Sequence, residues 1–202
     1  MIGELLLPRR CAGCRTPGHL LCPQCRTQLA SPPFRHTPGA PVHVSVFALG
    51  PYADPHRGVI LAMKEHSNMT VRRHVGAVLA AALRHLEAQG EIPTGAHLVP
   101  APTRATSARS RGGDPVTAIC RAAQYPTHPV LRLAEDTPDQ GSLDESGRRR
   151  NLQGMVSISA VPTRPVIVVD DVVTTGATLQ ASVEKLLACG GDVRACLVLA
   201  AA

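Results

Sequence analysis

Four apolar, mostly β-branched residues, Val166-Ile-Val-Val169, run directly into two carboxylates, Asp170 and Asp171, and then into the turn Thr174-Thr175-Gly176-Ala177-Thr178. No other stretch limits the possible folds so sharply. The apolar run reads as a buried strand. Leu179, Val183, Leu186 and Leu187 follow at helical spacing, on one face of a helix that starts at once. A strand that passes through a short hydroxyl-rich turn into a helix N-terminus makes an anion site, because first-turn N–H groups are unpaired and the helix dipole favours negative charge there. The hydroxyls of Thr174, Thr175 and Thr178 add donors, and Gly176 lets the backbone approach a phosphate.

The aspartates narrow the ligand. The chain contains neither G-x-x-x-x-G-K-[ST] nor G-x-G-x-x-G, which sets aside a nucleoside triphosphatase loop and a dinucleotide fingerprint. Carboxylates next to an anion site repel a bare phosphate. They fit a ligand whose sugar hydroxyls donate to them, with a magnesium ion held nearby. A sugar phosphate, its ribose over Asp170-Asp171 and its phosphate in the threonine turn, satisfies both halves. A plain buried strand with an acidic cap on the next helix explains one aspartate and leaves Thr-Thr-Gly-x-Thr without a reason.

A chain of 202 residues with 44% hydrophobic residues has room for one α/β domain and a small appendage. Aromatics are 2% and tryptophan is absent, so the core must be built from Ala, Val and Leu. No apolar run reaches the length of a membrane span. The first ten residues lack the charge order and apolar length of a signal peptide, so the expected location is the cytoplasm. The net charge of +6, with arginines at 104–111 and 148–150, points to polyanionic ligands or partners.

Four of the seven cysteines form two C-x-x-C pairs, Cys11/Cys14 and Cys22/Cys25. Two such knuckles can close one tetrahedral thiolate site, for which structural zinc is the usual occupant. Pro17-Gly18 supplies the turn between them. Disulfides do not suit a cytosolic chain, and a redox pair needs only one C-x-x-C. His19, between the pairs, reads as a solvated loop histidine. Cys120, Cys189 and Cys196 lie on apolar faces and read as core residues.

The pattern divides the chain into a four-cysteine module at 1–30, a proline-rich linker at 31–41 and an α/β domain at 42–202. In that domain strands are expected at 42–49, 97–101, 130–134, 166–169 and 193–202. Helices are expected at 54–66, 71–89 and 115–124, the last capped by Asp114 with Pro115 at its first position. A long polar stretch occupies 135–155. Alternating strands and helices predict a mostly parallel sheet flanked by helices on both faces, with the ligand beyond the carboxyl ends of the strands.

The stretch 166–178 resembles the binding motif of type I phosphoribosyltransferases, whose substrate is phosphoribosyl pyrophosphate. The whole order of motifs is similar to that of the ComF-type competence proteins. It is carried by Cys11/Cys14/Cys22/Cys25, Lys64, Val99-Pro-Ala-Pro-Thr-Arg104, Arg111-Gly112, Gln140, Arg149, Asn151 and Val168–Gly176. One departure is Gly113-Asp-Pro115, where the family commonly continues Arg-Gly with Phe-Asn-Gln. The resemblance implies a type I phosphoribosyltransferase-like domain. It implies that Pro102, Thr103 and Arg104 cradle pyrophosphate with magnesium, and that Lys64 and Arg149 act in catalysis. It implies that 135–155 is a lid that closes over the site. It also implies partners in DNA uptake, single-stranded DNA and DNA-processing proteins among them. Against a transferase stands the reading of a zinc-ribbon nucleic-acid or protein adaptor whose transferase domain only senses its ligand.

Overall fold

The computed structural model of the chain describes residues 10–64, 69–103, 113–134 and 155–202. Seven strands and five helices occur among them. They are α1 (Pro23–Leu29), β1 (Phe34–His36), β2 (Ser45–Ala48), α2 (His56–Lys64), α3 (Met69–Ala88), β3 (His97–Pro100), α4 (Pro115–Ala122), β4 (Leu131–Leu133), β5 (Val156–Ile158), β6 (Val166–Val173), α5 (Ala177–Ala188) and β7 (Val193–Ala201). The main sheet has the order β1-β2-β7-β6-β3, parallel except for the antiparallel edge strand β1. β4 and β5 pair antiparallel as a separate ribbon.

Both faces of the sheet are covered, so its central strands carry near-continuous apolar runs, Val166–Val169 in β6 and Ala195–Ala200 in β7, as buried parallel strands do. Alternation still decides which face each side chain meets. Ile167, Val169, Ala195 and Leu197 join the cluster formed with α2, α3 and α4. Val166, Val168, Cys196 and Val198 join the cluster formed with α5 and the β4–β5 ribbon. On α3, Val75, Leu79, Ala82, Leu83 and Leu86 are buried at the expected spacing. Full burial of each large aliphatic is worth about 1.5–3 kcal/mol. Asp114 caps α4, accepting from the backbone N–H of Val116 at 2.9 Å, and Pro115 opens the helix.

Several expectations are corrected. Residues 34–36 of the proline-rich segment form a strand, because they can pair with β2 at 46–48. β5 was not foreseen; three residues of ribbon leave too short an alternation to stand out. β7 is the last strand in sequence but lies centrally, between β2 and β6. Leu187 is 41% exposed, so the buried face of α5 is Leu179, Val183 and Leu186. Cys189 is exposed at the end of α5, whereas Cys120 and Cys196 are buried, and burial pushes both thiols up. No helix among the described residues is long and apolar enough to cross a membrane.

The cysteine knuckles share the domain's core. Cys11, Leu21, Cys22, Cys25 and Leu29 are buried in the same cluster as Ile60, Met63 and Leu79. α3 meets α4 through a close contact at Gly76, where a Cβ would stand 2.5 Å from the Ala122 Cβ. Gly76→Ala should therefore destabilise the fold by about 1–3 kcal/mol despite the better helix propensity of alanine. Urea denaturation that shows a gain in stability would contradict this packing.

Candidate functional site

β3 and β6 are neighbours and parallel, so their carboxyl ends open side by side. Ligand crevices form at such ends in α/β sheets. β6 delivers Asp170 and Asp171 there, and the turn after it leads into α5. A polar cleft is lined by Asp170, Thr174, Thr175, Gly176, Ala177 and Thr178.

Gly176 is the N-cap of α5 with φ +88°. That left-handed conformation costs other L-residues about 1–2 kcal/mol. A side chain would also collide, because its Cβ would lie 2.7 Å from the Cβ of Pro38. The Ala40 N–H donates to the Thr175 carbonyl at 2.7 Å, so the segment after β1 clasps the turn from one side. Thr175 Oγ1 accepts a long hydrogen bond from the Ala177 N–H at 3.4 Å. Thr174 is exposed, and the Thr178 carbonyl accepts from the Ser182 hydroxyl at 2.7 Å. Sequence reasoning missed Pro38 and Ala40; a proline-rich stretch carries no mark of what it will pack against.

The two carboxylates differ in surroundings. Continued along β6, the alternation that sends Val169 toward α2 sends Asp171 the same way. Lys64, the last residue of α2, meets Asp171 Oδ2 at 2.7 Å, with both side chains largely buried. Asp170 is half-buried and accepts from the Asp171 backbone N–H at 2.8 Å. Burial, then the Asp171 carboxylate, push its carboxyl up to about 7, against the lowering effects of that backbone bond and of Lys64. Among the described residues, negative charge thus exceeds its local compensation. Hard oxygen donors with surplus charge suit a magnesium ion.

The shift of Asp170 has a consequence for stability. The folded state holds this proton more tightly than the unfolded chain does. The group's contribution is fully present below the ordinary carboxylate range and is lost as pH rises toward about 7. Asp170→Asn cannot ionise. Its melting temperature relative to wild type should therefore be higher at about pH 8 than at about pH 4. An equal difference at the two pH values, read by thermal denaturation, would show that Asp170 titrates normally.

On the β3 side, Pro102 is buried and the Thr103 hydroxyl donates to Asp114 Oδ1 at 3.3 Å. The same carboxylate caps α4 and accepts from the Thr117 hydroxyl at 2.9 Å. Asp114 therefore ties the end of β3 to the start of α4, and its charge adds to the load on Asp170. The sequence marked Asp114 as a cap but gave no sign of its bond to Thr103. Arg104 and Arg149 lie outside the described residues, as do Arg111, Gly112, Gln140, Asn151 and the lid stretch up to residue 154.

The second site is the cysteine cluster. One sulfur from each of Cys11, Cys14, Cys22 and Cys25 lies within 4.8 Å of all the others. Tetrahedral zinc with bonds near 2.3 Å requires sulfurs about 3.8 Å apart, and Cys14 Sγ stands 3.6 Å from Cys22 Sγ. The four thiols are free of disulfides. Hydrogen bonds from the Thr16 side chain and backbone hold the Cys14 thiol down to about 6, whereas burial pushes the Cys25 thiol up. The donor set fits a closed structural zinc site. His19 is exposed and is not part of the cluster.

No model of a known protein family matches the chain. No curated protein matches it significantly.

Proposed function

We propose that the chain binds phosphoribosyl pyrophosphate with magnesium at the carboxyl ends of β3 and β6, as a type I phosphoribosyltransferase-like protein of the ComF type acting in DNA uptake. One observation carries this reading. Two adjacent carboxylates near the carboxyl end of a central parallel strand are followed, after Val172 and Val173, by a threonine turn that opens the twelve-residue helix α5. A sugar phosphate is the ligand that uses both parts.

In this reading Asp170 and Asp171 accept hydrogen bonds from the ribose hydroxyls. Thr174, Thr175 and the first-turn amides of α5 donate to the 5-phosphate, where the helix dipole favours the anion. Pro102 and Thr103, with Arg104, hold the pyrophosphate. Lys64 keeps the carboxylate pair from repelling an anionic ligand, and Arg149 stabilises charge on the departing pyrophosphate. Magnesium held there would supply charge neutralisation to the leaving pyrophosphate. The chain's oxygen donors for it are the carboxylates of Asp170 and Asp171. Displacement of pyrophosphate from C1 by an incoming nucleophile is the reaction class.

The test is a screen of nucleobases and amines for pyrophosphate release from phosphoribosyl pyrophosphate and magnesium. Release with one acceptor, lost in Asp171→Asn, supports the transferase. Binding of phosphoribosyl pyrophosphate without release from any acceptor favours the ligand-sensing adaptor instead.

A further inference from the structure

Helix α2 joins the two sites. Near its start, Gly58 is seated on the carbonyls of Ala12 and Gly13, the two residues between Cys11 and Cys14. A methyl at position 58 would overlap the Gly13 carbonyl and lie 2.7 Å from that of Ala12. Gly13 is itself clamped, since its own Cβ would stand 2.8 Å from Cys25 Sγ and 2.7 Å from the Cβ of Pro55, just before α2. The first knuckle therefore touches a ligand sulfur on one side and α2 on the other. Six residues further along α2, a rise of about 9 Å, Lys64 holds Asp171 at 2.7 Å. Between these ends Val59, Ile60 and Met63 are buried in the core that also takes in Cys11, Cys22 and Cys25.

We propose that metal occupancy of the four-cysteine module controls the phosphoribosyl site by setting the seat of α2 and, through it, the grip of Lys64 on Asp171. This rests on the reading of that site given above. Four sulfurs this close stay together when a cation binds them. Without it nothing bridges the four sulfurs, and the knuckle that carries the 12–13 carbonyls relaxes. A short helix packed on both sides shifts as a unit, because tightly packed elements do not deform smoothly. Lys64 then leaves Asp171, and two uncompensated carboxylates face an anionic ligand. Metal-loaded protein binds phosphoribosyl pyrophosphate more tightly, and by linkage the ligand tightens the metal.

The reciprocal effect is measurable without turnover. Zinc release from the full-length, zinc-loaded protein to a chromophoric chelator is timed with and without phosphoribosyl pyrophosphate and magnesium, at concentrations shown by calorimetry to saturate the wild type and the variants at Lys64 and Gly58. The ligand should slow release about fivefold or more, the lower end of typical coupling. The double variant Asp170→Asn, Asp171→Asn controls for direct chelation of zinc by the ligand and should show no slowing. Lys64→Met should lose the slowing while still carrying zinc, and Lys64→Arg should keep it. Gly58→Ala, which lifts the knuckle from α2, should also lose it; Lys64→Met decides the matter if that variant does not fold. Bound ligand with unchanged zinc release, or equal slowing in Lys64→Met, overturns the coupling and leaves the site assignment standing. Absence of binding in the calorimetry removes the site assignment, and the coupling with it.

Discussion

Asp170→Asn combined with Asp171→Asn is expected to abolish magnesium-dependent binding of phosphoribosyl pyrophosphate while the fold persists. Each charge-assisted hydrogen bond lost contributes about 1.5–3 kcal/mol. Two such losses weaken binding by more than about a hundredfold. The fold should tolerate the change, because Asn is isosteric with Asp and the strand behind it, Val166 to Val169, is fully buried and held on both edges by β3 and β7. Removing the burial cost, and then the repulsion by Asp171, that push Asp170 up to about 7 even favours the folded state at neutral pH. Calorimetry of the double variant is the check. Wild-type affinity would show that the carboxylates do not touch the ligand.

Much of the frame around these residues was legible beforehand, for physical reasons. β6, α5, α3 and the capped start of α4 declare themselves through long apolar periodicity or a cap-and-proline signature, and all four are present. The cysteine cluster followed from spacing alone, since two C-x-x-C knuckles have few other uses. What stayed hidden depends on contacts between distant segments. Pro38 against Gly176, Thr103 bonded to Asp114, and Gly58 on the first knuckle are juxtapositions that no local pattern encodes. Lys64 is the instructive case. Its neighbours alone suggest a surface lysine on a helix; the family resemblance singled it out, and the register of α2 against β6 brings it to Asp171. The exposed positions of Leu187 and Cys189 show the opposite limit, where an apolar residue at the end of α5 runs past the edge of its packing surface.

The metal should have the other large effect. Protein purified under reducing conditions without chelator should carry about one zinc per chain, as a single four-thiolate site requires. Structural zinc sites contribute about 10 kcal/mol or more of binding free energy, which appears as folding free energy. Here the ligands are wired into the main core, because Cys11, Cys22 and Cys25 pack with α2 and α3. Chelation, or Cys25→Ser, should therefore lower the melting temperature of the whole protein, and limited proteolysis should open the segment around Leu21 and Leu29. Elemental analysis without zinc, or an unchanged melting temperature after chelation, would mean that the knuckles hold their shape without metal.

The most direct test of the sugar-phosphate site is a calorimetric titration of phosphoribosyl pyrophosphate into the wild-type protein, with and without magnesium, beside ribose 5-phosphate and inorganic pyrophosphate. The expected result is saturable one-to-one binding of phosphoribosyl pyrophosphate that depends on magnesium. Ribose 5-phosphate should bind more weakly, because it fills only the threonine turn and the carboxylates. No heat from phosphoribosyl pyrophosphate at millimolar concentration, or equal binding of all three ligands without magnesium, would contradict the site.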